Sequence, residues 1–447
     1  MFDRKSLIKL LIPLIIEQLL GILVGMVDGV MVSAVSEAAM SGVNLVDQIN
    51  VLLINLMTAL ATGGSVIVAQ LLGSRKQKEA CEAANQLLII VILVTVGLGA
   101  LAIAGNYFIL HLIFGNVSAQ IMRNARTYFY ITALSFPFLG VYNACAALFR
   151  SMGNARVSMN ISLLMNGINI VGNAICIYGI GMGVEGVAIP TLVARFVAAV
   201  VPTCMLFNQK LELHFTKPFS FRLKKHVVGK ILGIGVPNAV ENSMFQLGKL
   251  VVQRWVTRFG DYAIAANTAA GAIVNFQWMI PNAIGVSFLT IVGQCAGAGK
   301  LEEAKKHIGK LMVISKVSML VVNTIMICTR YQVIGIYSNL SPETITATAT
   351  IIVMHGVFSF LFWTESFALP NAFRAVGDVK FPMIVSVSSM WIFRIGMSYI
   401  LGIVLDMGLI GIWLAMFLDW GVRGIFFVYR YLKGKWCIHY EEIRKAP

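Results

Sequence analysis

Ile12-Pro13-Leu14-Ile15-Ile16-Glu17-Gln18 opens the apolar part of the chain, and Val236-Pro237-Asn238-Ala239-Val240-Glu241-Asn242 restates it. The two prolines are 224 residues apart. The same shift carries Gln70 onto Gln294, Gly73 onto Gly297, Glu79 onto Glu303 and Ala80 onto Ala304. It also carries Phe149-Arg150 onto Phe373-Arg374, Gly153 onto Gly377 and Met159 onto Met383. One inserted residue later, Gly183 and Gly186 fall on Gly408 and Gly411. Self-similarity at a fixed period marks a duplicated architecture.

Each copy is made of apolar runs. The 447 residues are 58% hydrophobic and only 12% charged, with a mean hydropathy of +0.81. A soluble domain carries roughly 25% charged residues, so an ordinary soluble enzyme, a disordered chain and a disulfide-stapled secreted domain are all excluded. Twelve segments reach spanning length: 10–33, 45–71, 85–106, 126–149, 157–179 and 186–207 in the first copy, and 232–256, 268–294, 308–329, 348–372, 382–404 and 409–430 in the second. The runs are continuous, whereas barrel strands alternate over about ten residues, so the spans read as helices. Lys5, Lys9 and Val32-Ser33-Ala34 give the first run the look of a signal peptide. Its apolar core is too long for one, and the repeat requires it as a span. The predicted class is an all-α integral membrane protein with twelve transmembrane helices in two six-helix bundles. The expected organisation is an N-lobe over 1–207, a basic cytoplasmic linker over 208–231, a C-lobe over 232–431 and a cytoplasmic tail over 432–447. Phe215, Phe219, Phe221 and Leu223 among the linker's charges suggest a segment lying on a surface.

Charge sets the orientation. The formal net charge is +15, from 35 Lys+Arg against 20 Asp+Glu. Twenty-five of those cations fall at the N-terminus, in the even-numbered loops and in the C-terminal tail, and only Arg123, Arg126, Arg258 and Arg330 on the other side. The positive-inside rule therefore predicts both termini in the cytoplasm and explains the basic balance without nucleic acid. Six spans return the chain to its starting side, so the second copy begins as the first does and the repeat is parallel. Two such lobes enclosing a cleft that opens alternately to either side describe a secondary transporter. The seven scattered cysteines read as small buried hydrophobes.

Catalytic motifs fail on inspection. Ala298-Gly299-Lys300 lacks the earlier glycine of a phosphate loop, since Gln294 stands there, and Leu301 replaces the needed Ser or Thr. It reads as a tight turn. The six histidines form no i, i+4 metal pair, and no Gly-x-Ser-x-Gly elbow occurs. The chain is not expected to be an enzyme, and an ion gradient is the expected energy source.

Ionisable residues at membrane depth cost at least about 2.5–3.5 kcal/mol each and default to function. Asp28, between Gly25-Met26-Val27 and Gly29-Val30-Met31, is the strongest case for a cation or proton site. Asn166, Asn169 and Asn173 share one helix face. They either complete that site or join helices through hydrogen bonds, with Gly167 and Gly172 permitting close approach. Glu17 and Glu241 follow matched prolines by four residues, so each lines a cation-attracting cleft or compensates a helix N-terminus. Glu365, among Phe362, Trp363 and Phe367, suits a lipophilic cation. Asp419 with Arg254, Arg394 and Arg423 reads as mutual pairing. Lys249 stands apart, eight residues beyond Glu241, and Arg195 has no evident partner.

The ordered motifs resemble those of multidrug and toxic compound extrusion (MATE) transporters. They are Ile12-Pro13, Val27-Asp28-Gly29-Val30-Met31-Val32, Ala39-Met40-Ser41-Gly42-Val43, Ala69-Gln70-Leu71-Leu72-Gly73, Gln294-Cys295-Ala296-Gly297, Leu148-Phe149-Arg150-Ser151-Met152-Gly153 and Ala372-Phe373-Arg374-Ala375-Val376-Gly377-Asp378. The resemblance implies a V of two bundles in a bacterial inner membrane. It implies export of lipophilic, often cationic, small molecules by a monomer, in exchange for H+ or Na+, with no other cofactor. Asp28 falls at the family's span-1 aspartate, the residue that looks like the coupling group. The second aspartate of a proton-linked branch is replaced by Asn173, followed by Ala174. The glutamate of a sodium-linked branch is replaced by Phe245. Both ions therefore stay open. A flippase for anionic lipid-linked precursors is the alternative, and Lys249, Arg254, Arg394 and Arg195 are the residues that favour it.

Overall fold

The computed structural model describes residues 2–115, 117–216, 221–337 and 340–437. These residues form helices joined by turns and, between Leu206 and Lys225, by a longer linker, with no strand among them. That is the expected solution in hydrocarbon, where each backbone N–H and C=O must be satisfied within its own segment. Twelve spans follow in the expected order. In the first copy they are Arg4–Ser33, Glu37–Gly73, Gln77–Ala104, the pair Ala119–Leu134 and Phe136–Ser151, Ala155–Gly179, and Glu185–Leu206. In the second they are Lys225–Val256, Asp261–Gly297, Leu301–Cys328, Pro342–Ala375, Lys380–Val404 and Gly408–Leu432.

The copies agree almost residue for residue. Span 2 runs Glu37–Gly73 and span 8 Asp261–Gly297, both ends displaced by 224. Span 3 and span 9 keep the same displacement at both ends, and short helices follow them at Asn106–Phe114 and Arg330–Ile334. Gly153 and Gly377 both take positive φ, 75° and 89°, at the turn after the Phe-Arg motif, a conformation that glycine adopts without steric cost.

Two spans depart from the simple picture. Span 4, expected as one run over 126–149, is broken at Ser135 and bent by 47°. Pro137 explains the break, because it has no N–H to give the preceding turn. Span 7 is the least apolar: ten other helices and the bent pair are long and apolar enough to cross a membrane, whereas Lys225–Val256 carries Lys230, Glu241, Lys249 and Arg254.

The chain divides into two compact units, Phe2–Ala239 and a second beginning at Val240. In the first, span 1 packs on span 5, and span 2 on spans 3 and 4. Its core gathers Val43, Val46, Met57, Phe129, Phe136 and Val187. The described part of the linker belongs to this unit and is docked on it at its start, while Phe221 and Leu223 stay exposed. Phe215 and Leu213 are fully buried, Gln86 donates to the Arg222 carbonyl at 2.9 Å, and Lys224 pairs with Glu82 at 2.7 Å. Phe219 lies outside the described residues, as does most of the expected tail. In the second unit, span 8 packs on spans 9 and 10, and span 12 on spans 10 and 11.

Candidate functional site

In the first unit Asp28 sits five-sixths of the way along span 1, opposite the polar face of span 5. Asn173 Nδ2 donates to Asp28 Oδ1 at 2.9 Å. Asn169, with its amide nitrogen facing the carboxylate, donates to Asp28 Oδ1 at 2.9 Å and Oδ2 at 3.2 Å, and accepts from Thr191 Oγ1 at 2.9 Å. The three- and four-residue spacing on one helix thus delivers two amides to one carboxylate. Asn166 lies one turn earlier and bonds Ser162 at 3.5 Å.

A second acid, Asp47 of span 2, was not singled out by sequence reading. It accepts from Asn50 Nδ2 at 3.1 Å and from the Tyr128 hydroxyl at 3.4 Å, and it acts electrostatically on Asp28. Arg195 acts on both carboxylates and donates to Ser135 Oγ at 2.7 Å, at the break in span 4. Two carboxylates facing one guanidinium leave the group one negative charge in excess while both are ionised. Oxygen ligands of that kind suit a hard monovalent cation or a proton.

The matched glutamates are engaged by matched arginines. Arg150 lies 3.3 Å from Glu17, and Ser158 Oγ donates to Glu17 Oε2 at 3.0 Å. Arg374 lies 2.6 Å from Glu241. Glu365, on a π-helical segment of span 10, is held by Lys316 at 2.6 Å. The readings of Glu17, Glu241 and Glu365 as open cation-attracting groups therefore meet a basic side chain in each case.

Asp419 gathers the expected arginines. Arg423 clasps it through Nε at 3.0 Å and Nη2 at 2.9 Å, and Arg394 approaches to 3.3 Å. Arg254 is exposed and takes no part in this group. Lys249 pairs with no carboxylate among the described residues. Its ammonium lies 5.1 Å from the Phe245 ring centre, which Arg394 and Arg423 also approach, at 4.9 and 5.3 Å. Lys249 and Arg394 line a cavity of about 310 Å³ within this unit. Elsewhere, Cys295, Glu303 and His307 bring ligand-type atoms within 4.8 Å of one another, with Lys300 2.8 Å from the Glu303 carboxylate.

Comparison with known proteins gives this arrangement its context. The chain is 28% identical over 436 residues to the uncharacterized transporter YisQ of Bacillus subtilis, covering 96% of this chain and 94% of that one. It is also 28% identical over 447 residues to the probable multidrug resistance protein NorM of Thermotoga maritima, covering 97% and 93%. In three dimensions it matches the outward-facing conformation of a multidrug resistance MATE family transporter of the MOP superfamily, with a TM-score of 0.90 at 20% identity, over 99% of this chain and 97% of that one. A MOP superfamily transporter from Pyrococcus furiosus, described by the reverse polarity of its binding pocket, also matches with a TM-score of 0.90. The MatE profile covers residues 13–175 and again residues 237–400, starting at the two prolines that define the repeat. The chain belongs to the MatE family of membrane transporters and is not an enzyme.

Proposed function

We propose that the protein is a secondary antiporter that exports lipophilic small molecules of the drug type in exchange for protons or sodium ions, by alternating access of its two lobes. The observation that carries this reading is Asp28, a carboxylate within span 1 held by two amides and flanked by a second acid. A group so placed can exchange a coupling cation when its access to water changes. The NorM name of the Thermotoga maritima relative supports multidrug cargo. The resemblance expects often cationic compounds. In the second unit the acids that would greet them, Glu241 and Glu365, are already matched by Arg374 and Lys316, so lipophilicity is the better-supported property of the cargo. Vesicles with each gradient imposed separately test the reading. Export should follow one cation gradient and vanish in Asp28→Asn while the protein remains folded in the membrane. Unchanged export by Asp28→Asn would overturn it.

A further inference from the structure

The cavity in the second unit has a polarity that export of cations does not explain. Lys249 and Arg394 line it, Arg423 joins them around the Phe245 ring outside the lining, and Asp419 is the one acid paired with these cations among the described residues. Asp419 is fully buried and is spent on the two arginines and on Ser389 Oγ, which donates to it at 2.6 Å. Lys249 pairs with no carboxylate among the described residues and rests against the Phe245 ring.

The rest of the lining carries no charge. Trp413 Nε1 donates to Asn267 Oδ1 at 3.1 Å, and Asn267 Nδ2 donates to Gln253 Oε1 at 3.0 Å. Gln253 also lines the cavity, and its amide carries two N–H donors. Trp278 is fixed by donating to His355 Nε2 at 3.1 Å, and with Trp413 it supplies flat apolar walls. An apolar pocket with a few convergent donors of one sign selects an apolar body with a head of the opposite sign.

We propose that this cavity is a binding site for amphipathic anions, with an aromatic or similarly flat body between Trp278 and Trp413 and a sulfonate, carboxylate or phosphate head on Lys249. The inference deepens the transport reading by naming a cargo class, and it rests on that reading only for the cargo's export, not for its binding. A volume of about 310 Å³ accommodates a two-ring body with its head.

The test compares 2-naphthalenesulfonate with 2-naphthyltrimethylammonium, two probes of one body and opposite heads. Equilibrium binding is measured to the full chain in phosphatidylcholine nanodiscs. The sulfonate should bind the unaltered protein more tightly. Lys249→Gln should weaken it about tenfold or more, Lys249→Arg should restore it, and Lys249→Glu should reverse the preference. Competition by phosphatidic acid in the nanodisc would support the site and identify a lipid headgroup as its source of anion; absence of competition, with the sulfonate still bound, supports a free amphiphile. Equal binding of the two probes to the unaltered protein overturns the proposal whatever the variants do, as does undiminished sulfonate binding by a folded Lys249→Gln. Asp28→Asn separates the two readings. It should abolish gradient-driven export and leave sulfonate binding unchanged, so either can fail alone.

Discussion

Arg374 Nη2 lies 2.6 Å from Glu241 Oε2, and the pair recurs 224 residues earlier as Arg150 with Glu17 at 3.3 Å. Each arginine is 133 residues beyond its glutamate. In both units it ties the first span to the end of the fourth, so it is a built-in strut of the duplicated bundle. The two versions are not equal. The side chains are 10% and 12% exposed in the second unit and 20% and 15% in the first, where the contact is also longer.

Removing one partner from the tighter pair should therefore cost more. Glu241→Gln or Arg374→Gln is expected to destabilise the protein by about 3 kcal/mol, because the remaining charge is stranded in a poorly hydrated site. The equivalent changes at Glu17 or Arg150 should cost about 1 kcal/mol. Double-mutant cycles on thermal melting in detergent measure both coupling energies. Equal couplings in the two halves would contradict the argument from geometry.

Much of this was legible in the sequence for a simple reason: a duplication writes the same constraint twice. Pro13 with Glu17 and Pro237 with Glu241 announced the repeat, and Phe149-Arg150 with Phe373-Arg374 announced its other end. That these ends touch was not legible, because 133 residues of intervening helix separate them. Asp28, Asn169 and Asn173 were readable as a site because apolar neighbours isolate them and helical spacing aligns two of them. Asp47 was hidden by a boundary. The apolar run begins near residue 45, but the helix starts at Glu37, behind the Ser36 cap, which places Asp47 three turns inside. The break in span 4 had its signal in Pro137. The pairing of Glu365 with Lys316 had none, since the contact joins different spans across the π-helical segment of span 10.

The amides around Asp28 should tune the cation rather than create the site. Asn173→Ala removes a 2.9 Å hydrogen bond to a charged group, and such bonds are worth about 1.5–3 kcal/mol. The half-saturating concentration of the coupling cation is expected to shift about tenfold or more, with a smaller shift for Thr191→Val, which only orients Asn169. Asp47→Asn should alter cation affinity as well, through loss of its field on Asp28. Initial export rates against coupling-ion concentration measure all three. Identical curves for Asn173→Ala and the unaltered protein would remove span 5 from the site.

Glu365 makes a prediction opposite in sense to the one its aromatic neighbours invite. Since Lys316 holds it at 2.6 Å, Glu365→Gln should lower export of neutral and cationic compounds by similar factors, through disturbance of span 10. Lys316→Gln, which releases the carboxylate, should instead favour cationic compounds over neutral ones. Parallel export assays with a cationic and a neutral dye decide this. A selective loss of the cationic dye in Glu365→Gln would return Glu365 to the role of a charge reader.

Two glycines of span 5, Gly167 and Gly172, separate close packing from mere helical tolerance. A Cβ at Gly172 would lie 2.7 Å from Pro190 Cβ, and a proline ring has no rotamer with which to yield. A Cβ at Gly167 would meet nothing within 4 Å, so the close approach expected there does not exist. Gly172→Ala should destabilise the protein by about 1–3 kcal/mol, as overpacking does. It should also weaken the coupling cation, because Gly172 adjoins Asn173 and a displaced span 5 pulls the amide from Asp28. Gly167→Ala should be neutral or stabilising by up to about 1 kcal/mol, since alanine loses less conformational freedom in a helix. Melting temperatures and cation-dependence curves of both variants check the pair. A Gly167→Ala variant as damaged as Gly172→Ala would mean that span 5 is packed on both faces, and the open face assigned to Gly167 would be wrong.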